Sequence, residues 1–390
     1  MADGTCRVLL FGTEFPPSPA GTAVYARCLA LALHDQGVDI AVLTQAPAQD
    51  PVDDVDVPVP VSRIPYTRNV ARRYARSLGA LRAAVDQFKP HCLWTTNGMG
   101  TRVAALLSRL PCPLISCARG SDIRTRLPPR GPWRRLEGLV QRSAYRRSVG
   151  VAAACGDLLT YAVAQGVDEQ RLFVSHSAFD FARLDGMSAS LDGIEREPST
   201  VLTVARLTRQ KRVDVVLRAV ALARKEIPEL HLVIVGDGPE RLRLEGLARE
   251  LQIDDCVRFA GVLQPFSVDL CAEYRRATAF AMTSVGEGLA NVFIEAGAFG
   301  LPSIGSASGG TPEIVKDGAT GWLVRPDDPT DTAARIVTLL KSPETGAQMG
   351  AAARAWVEEE FGLQTLGRRS RAVIRAVIDG SPVPRPAVDL

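Results

Sequence analysis

The sequence predicts an α/β protein built from two doubly wound units with parallel sheets. Three observations carry that expectation. At 390 residues the chain exceeds one ordinary core and suits two domains of near-equal size. Short apolar runs without polar alternation recur along it, many closed by glycine or small polar residues and followed by helix-length amphipathic stretches. An aperiodic Ser/Glu/Gly-rich break at 186–200 interrupts this pattern, which then restarts at Val201. The composition, 46% hydrophobic and 23% charged, is that of a soluble globular chain, and a net charge of +3 is too weak to imply nucleic acid.

Arg7–Phe11 is the first strand, ending at Gly12. The loop 13–22, T-E-F-P-P-S-P-A-G-T, leads into a helix with apolar positions at Val24, Leu29, Leu31 and Leu33, and Gly37–Leu43 returns as a strand. This βαβ unit puts its Pro/Gly loop at the carboxyl end of the first strand, where doubly wound sheets bind ligands. Residues 50–65, acidic and rich in Val and Pro, form a surface hairpin or loop. Arg68, Arg72, Arg73 and Arg76 precede an amphipathic helix that ends at Phe88. Strands Cys92–Thr95 and Pro113–Ala118 then end at T-N-G and R-G-S-D, which brings Asn97, Arg119 and Asp122 to ligand-facing positions. An arginine there suits a donor phosphate or an anionic acceptor group. Arg124, Arg126, Arg130, Arg134, Arg135, Arg142, Arg146 and Arg147 follow, with Trp133 among them. A solvated helix face is the ordinary account of such a run; attraction to an acidic acceptor or a membrane surface is the sharper one. Val151–Ala154 is a further strand.

The eight cysteines are scattered, with no C-x-x-C and no histidine at zinc spacing, so buried reduced thiols are expected. No apolar run reaches transmembrane length and M-A-D-G-T-C lacks a signal-peptide pattern. A cytoplasmic protein is expected, with peripheral membrane contact and oligomeric state left open.

Val201–Val204 opens the second sheet and runs into A-R-L-T-R-Q-K, residues 205–211. The strand His231–Val235 is followed by G-D-G-P and a helix to Leu251. That turn lacks the third glycine of a dinucleotide fingerprint, and Pro239 suits a first helical position instead. Val257–Val262 and Ala279–Met282 are strands, and Ile304-Gly305 leads to a helix capped by Thr311. Between them lies T-S-V-G-E-G-L-A-N-V-F-I-E-A-G-A-F-G-L-P, residues 283–302. A helix opens near Asn291, with Asn as its cap, and closes at Gly300 and Pro302. Its free N–H groups favour an anion, and Glu295 one turn inside leans back toward the same mouth. Two carboxylates beside a phosphate-friendly helix mouth suit a nucleotide sugar, part diphosphate and part polyol. Two solvated acids are the ordinary alternative for any pair of Glu.

Glu287 and Glu295 have seven residues between them. The stretch E-G-L-A-N-V-F-I-E-A-G-A-F-G-L-P resembles the E-x7-E signature of retaining glycosyltransferase family 4. Members have the GT-B fold, two Rossmann-like domains whose parallel sheets face across an interdomain cleft. Residues 205–212 resemble the family's G-R-L-x-x-x-K-G, with Ala205 and Arg212 in place of its glycines. Residues 236–239 resemble its G-x-G-P loop and 309–313 its G-G-x-x-E. Loop 13–22 resembles its P-P-x-x-G-G with only Gly21 kept, and Arg119 stands where H-G-x-D would have histidine. No catalytic-histidine role is therefore carried over.

The resemblance implies retaining, metal-independent transfer of a hexose-type sugar from a nucleoside diphosphate, most commonly UDP, to an unidentified acceptor hydroxyl. It implies no cofactor beyond that co-substrate. Arg206 and Lys211 would meet the diphosphate, where fixed cations stabilise the leaving group's growing charge. Glu287 would accept a sugar hydroxyl, helped by Gly288 and the N–H groups of Leu289, Ala290 and Asn291, while Glu295 would hold the ribose diol. Gly21, Arg258 and Val262 complete the implied donor contacts, and Asn97, Arg119 and Asp122 the acceptor side. The expected domains are 1–185, a linker at 186–200, 201–365, and a helix at 366–390 that bends near Phe361-Gly362 and crosses back. A GT-B nucleotide-sugar epimerase and a non-catalytic nucleotide-sugar binder are the rival readings.

Overall fold

The structure is a computed structural model that describes residues 6–18, 20–46, 57–107, 109–120, 123 and 132–384. It divides into two compact units, one of residues 1–178 with 363–390 and one of residues 179–362.

The first unit holds β1 (Arg7–Phe11), β2 (Asp39–Gln45), β3 (Val61–Ile64), β4 (Cys92–Thr95), β5 (Leu114–Ala118), β6 (Gly150–Ala153) and β7 (Leu172–Val174). They form one parallel sheet in the order β3-β2-β1-β4-β5-β6-β7. Its helices are α1 (Gly21–Asp35), α2 (Val70–Phe88), α3 (Gly98–Ala105), α4 (Pro132–Arg147) and α5 (Asp157–Ala164). Residues of β1 divide alternately between two cores. Val8 and Leu10 pack with Leu29, Leu33 and Trp94; Leu9 and Phe11 pack with Leu81, Val85 and Val103. A strand covered on both faces needs no polar alternation, hence the V-L-L-F run.

The second unit holds β8 (Thr200–Val204), β9 (His231–Val235), β10 (Val257–Gly261), β11 (Ala279–Met282), β12 (Ser303–Ser306) and β13 (Gly321–Val324). These also pair in parallel, in the order β10-β9-β8-β11-β12-β13. Helices α6 (Phe181–Gly186), α7 (Val213–Ala223), α8 (Arg241–Glu250), α9 (Val268–Arg276), α10 (Asn291–Ala298), α11 (Thr311–Ile314), α12 (Pro329–Lys341) and α13 (Pro343–Phe361) cover it. The last helix, α14 (Leu363–Asp379), belongs to the first unit. Its Leu366, Val373, Ile374 and Val377 join the core on the α1 side, each fully buried apolar side chain contributing about 1.5–3 kcal/mol.

Several expectations need correcting. The break at 186–200 is not a free linker: residues 188–191 form a 3-10 turn, Leu191 is buried, and the unit boundary falls between Ala178 and Phe179. The polar composition reflects a surface segment pinned by a few apolar anchors. Within 50–65, Val61–Ile64 is a parallel edge strand on β2 (Val42↔Val61), and residues 50–56 lie outside the described set. Pro239 lies before α8, whose first residue is Arg241. The three-residue β7 was too short to leave a pattern. All eight cysteines are free, and burial pushes Cys112 and Cys271 up to about 11, so these two stay protonated thiols. No helix among the described residues is long and apolar enough to cross a membrane.

Candidate functional site

The chain order of the second sheet reverses beside β8. β9 and β10 extend to one side, while β11, β12 and β13 build out on the other. Open α/β sheets bind ligands outside the carboxyl ends of strands at such a reversal. Lys211 ends the 3-10 turn that follows β8, and Glu287 lies in the loop that follows β11. Across the reversal Lys211 Nζ stands 3.0 Å from Glu287 Oε1, the side chains being 21% and 15% exposed.

Backbone and side-chain bonds hold these loops in register. Val285 N–H donates to the Gln210 carbonyl at 2.9 Å, and Gln210 Nε2 to the Gly286 carbonyl at 2.9 Å. Thr283 Oγ1 donates to the Arg212 carbonyl at 3.0 Å. On the other side Gly310 N–H donates to the Gly288 carbonyl at 3.0 Å, and Gly286 N–H to Ser308 Oγ at 3.3 Å. The Arg206 segment is anchored to the turn after β9: Ala205 N–H bonds the Val235 carbonyl at 3.0 Å and Leu207 N–H the Asp237 carbonyl at 2.9 Å. Gly236 makes this possible, since its φ is +126° and a Cβ there would overlap the Ala205 carbonyl. Gly236→Ala is therefore expected to cost about 2–4 kcal/mol of stability, read as a lower urea midpoint. An unchanged midpoint would contradict that close approach.

The helix mouth differs in detail from the sequence reading. Ala290, not Asn291, is the cap of α10, and its side chain offers no capping bond. Likewise Gly310 precedes α11, with Thr311 already helical. Among the described residues the N–H groups of Leu289, Ala290 and Asn291 have no hydrogen-bond partner. Three buried side-chain oxygens of the same loops, Ser284 Oγ, Asn291 Oδ1 and Thr311 Oγ1, are also unpaired. Leaving such a group unsatisfied costs about 1–3 kcal/mol, so three on adjoining loops suit a ligand-facing surface.

Glu295 lies one turn inside α10. Its Oε2 accepts from the buried Tyr274 hydroxyl at 2.7 Å. Burial raises its carboxyl above the usual range, with the Tyr274 bond pulling the other way. Tyr274 is raised well above its ordinary value, first by burial and then by the Glu295 charge, so it remains a donor. Sequence reasoning missed Tyr274, because its meeting with α10 depends on how α9 packs. The Arg206 side chain is exposed and makes no hydrogen bond or ion pair with the described residues, while its carbonyl accepts from Thr208 N–H at 2.8 Å. Val262, just past β10, is 61% exposed.

Arg258 does not reach this set. It sits one residue into β10, away from the carboxyl end, and its Nη2 is 2.6 Å from Glu273 Oε2. A strand rises about 3.3 Å per residue, so Arg258 stands about 10 Å back along β10 from its carboxyl end.

In the first unit the order reverses between β1 and β4. Gly21 is the first residue of α1 there, but Thr22 in the same turn hydrogen-bonds the Glu14 carboxylate. That acid weakens the turn as a phosphate contact and adds a hydroxyl acceptor that the sequence did not single out. Asn97 caps α3, accepting from Gly100 N–H at 2.9 Å and donating to Thr13 Oγ1 at 2.8 Å. Arg119 lies over the Tyr25 ring at 3.7 Å and donates to the Ser175 carbonyl at 2.7 Å and Ser177 Oγ at 2.8 Å. Asp122, Arg124, Arg126 and Arg130 lie outside the described residues, as do the side chains of Trp133 and Arg134. Farther along α4, Arg135, Arg142, Arg146 and Arg147 are exposed beside the exposed Leu136 and Leu139.

Both units have relatives among known proteins. The family model described as glycosyl transferases group 1 matches residues 192–356, and the glycosyl transferase 4-like domain matches residues 20–177. A D-inositol 3-phosphate glycosyltransferase of Streptomyces scabiei is 33% identical over 62% of this chain and 56% of its own. A GDP-mannose-dependent alpha-(1-6)-phosphatidylinositol monomannoside mannosyltransferase of Mycolicibacterium smegmatis is 34% identical over 43% of this chain and 46% of its own. The chain thus spans about half the length of the curated relatives it matches. Among solved structures, sucrose-phosphate synthase from Thermosynechococcus elongatus has a TM-score of 0.79 at 20% identity, covering 96% of this chain and all of its own. Anabaena HepE in complex with UDP has a TM-score of 0.73 at 18% identity, covering 95% of this chain and all of its own. With one match on each unit and two parallel sheets of this order, the chain belongs to the group 1 and 4-like glycosyltransferases and has the GT-B fold.

Proposed function

We infer that the protein transfers a hexose-type sugar from a nucleoside diphosphate donor to an acceptor hydroxyl, with retention at the anomeric carbon. The observation that carries this is the Lys211–Glu287 pair at the sheet reversal, beside the open mouth of α10. A diphosphate competes with Glu287 for the Lys211 ammonium, and Arg206 adds a second cation with no protein partner among the described residues. Glu287 is then left to accept a sugar hydroxyl, the N–H groups of Leu289, Ala290 and Asn291 serve oxyanions, and Glu295 accepts from the ribose diol. The bond from the anomeric carbon to the phosphate oxygen breaks as the acceptor oxygen bonds on the same face. The acceptor proton passes to the departing phosphate.

Fixed side-chain cations supply the neutralisation, so transfer should proceed in the presence of EDTA. UDP is the favoured donor nucleotide, since HepE is a neighbour with UDP bound, although the mannosyltransferase relative is named for GDP-mannose. An acidic acceptor fits best: the relatives are named for inositol 3-phosphate and phosphatidylinositol monomannoside, and α4 carries exposed arginines with Leu136 and Leu139. Peripheral contact with an anionic membrane and action in the cytoplasm accord with that surface. The test is a panel of UDP- and GDP-sugars. Slow release of free nucleoside diphosphate is expected; sugar interconversion would instead indicate an epimerase, and thermal stabilisation without turnover a binder.

A further inference from the structure

At the other end of α10 the second unit has a cavity of about 520 Å³ that the transfer chemistry does not use. Arg196, Arg275 and Arg354 gather there around Ala298–Gly300, and Asp185 and Ser188 share the wall. Its size is that of a small-molecule site. Two of the arginines are engaged. Arg196 donates to the carbonyls of Ala277, Phe299 and Gly300 at 2.5, 2.9 and 3.2 Å. Arg354 donates to the Ala298 carbonyl at 2.6 Å and pairs with Glu358 at 3.1 Å. Between them they cover the carbonyl end of α10, cancelling the negative pole that would repel an anion. Arg275 is different. It uses only Nε, on the Ile194 carbonyl at 3.1 Å, and its two terminal nitrogens have no partner among the described residues. Burial first, and then the Arg275 charge, hold Arg196 below the ordinary guanidinium value, so these two cations are close enough to act on one another.

We propose that this cavity binds a phosphorylated polyol, a sugar phosphate in chemical class, as a second ligand separate from the donor. The Arg275 fork matches a phosphate bidentately. The Asp185 carboxylate and Ser188 hydroxyl take hydroxyl groups, and Leu184 and Leu191 supply an apolar wall. The site is also wired to the donor end. The ring of Phe299, on the cavity wall, stacks on Tyr274 with centroids 5.3 Å apart and planes 9° from parallel. The Tyr274 hydroxyl holds Glu295. A ligand that shifts Phe299 therefore shifts the group holding Glu295, and this coupling rests on the donor role given to Glu295 above.

The test measures glucose 6-phosphate and inorganic phosphate by calorimetry on four proteins: wild type, the Arg206→Ala/Lys211→Ala double variant, Arg275→Gln and Ser188→Glu. Glucose 6-phosphate should bind wild type and the double variant alike, and bind Arg275→Gln and Ser188→Glu at least about tenfold more weakly. Ser188 is exposed on a turn, so its variant keeps the test valid if Arg275→Gln fails to fold. Inorganic phosphate should bind more weakly than the sugar phosphate; equal binding would remove the polyol part of the proposal. Binding lost in the double variant but kept in Arg275→Gln would put the ligand in the donor site and overturn the proposal, as would no binding at all. Saturating glucose 6-phosphate should change UDP affinity about fivefold or more in wild type and not in Phe299→Leu. Binding without that change overturns the coupling alone. Failure of the donor panel with the calorimetry intact would remove the transfer reading and leave this site standing.

Discussion

Lys211→Ala is expected to lower kcat for donor turnover by about a hundred- to a thousandfold, with a much smaller change in KM. The ammonium stands 3.0 Å from Glu287, where the sheet order reverses, on a turn tied to the β11 loop by the Gln210 bonds. A cation held that firmly needs no reorganisation when the leaving diphosphate gains charge, so its effect falls on the transition state more than on binding. The same substitution leaves a mostly buried Glu287 carboxylate unpaired, and a modest loss of thermal stability should accompany the loss of rate. Adding Glu287→Gln should recover that stability without recovering turnover. Wild-type kcat in Lys211→Ala would remove this residue from the chemistry.

Glu295→Gln should act in two opposite directions. Nucleotide affinity should fall about ten- to a hundredfold, the value of a hydrogen bond accepted by a charged group. Stability without ligand should rise near neutral pH, because glutamine removes a charge from a buried place. The sign follows from the raised carboxyl. Its folded-state pKa lies above the unfolded value, so the protonated form favours folding. That contribution is complete below the unfolded pKa and is lost as pH rises through the folded one. Wild type and variant should therefore have similar stability in acid and diverge as pH rises, the variant being the more stable. Wild-type nucleotide affinity should strengthen over the same rise, as the acceptor carboxylate forms, while the variant stays flat. Thermal melts and nucleotide titrations from acid to mildly alkaline pH check both limbs, and parallel curves would show that Glu295 neither bears a buried charge nor meets the ribose.

The elements easiest to find in the sequence were those whose pattern is local. β1, β9 and β11 are covered on both faces, so they appear as unbroken apolar runs. Glu287 and Glu295 stood out by spacing, and Lys211 by its place after a strand. What escaped depends on tertiary meetings that spacing does not encode. Tyr274 reaches Glu295 only through the packing of α9, and Thr22 finds Glu14 only because the loop folds back. Arg258 pairs with Glu273 of α9, a meeting across two elements that spacing does not encode. The supposed linker misled through composition: it is polar for most of its length, yet Leu191 secures it to the second core.

The two ends of the second unit meet. Phe179 N–H bonds the Phe361 carbonyl at 2.8 Å and Phe179 pairs with Gly362, so both ends of the 179–362 segment are stapled at one seam. Such a piece is topologically a cassette: it enters and leaves the host chain at neighbouring points. Exchanging the second unit between homologues is then a two-cut graft at 178/179 and 362/363, whereas a single crossover near 200 would strand α14 with the wrong parent.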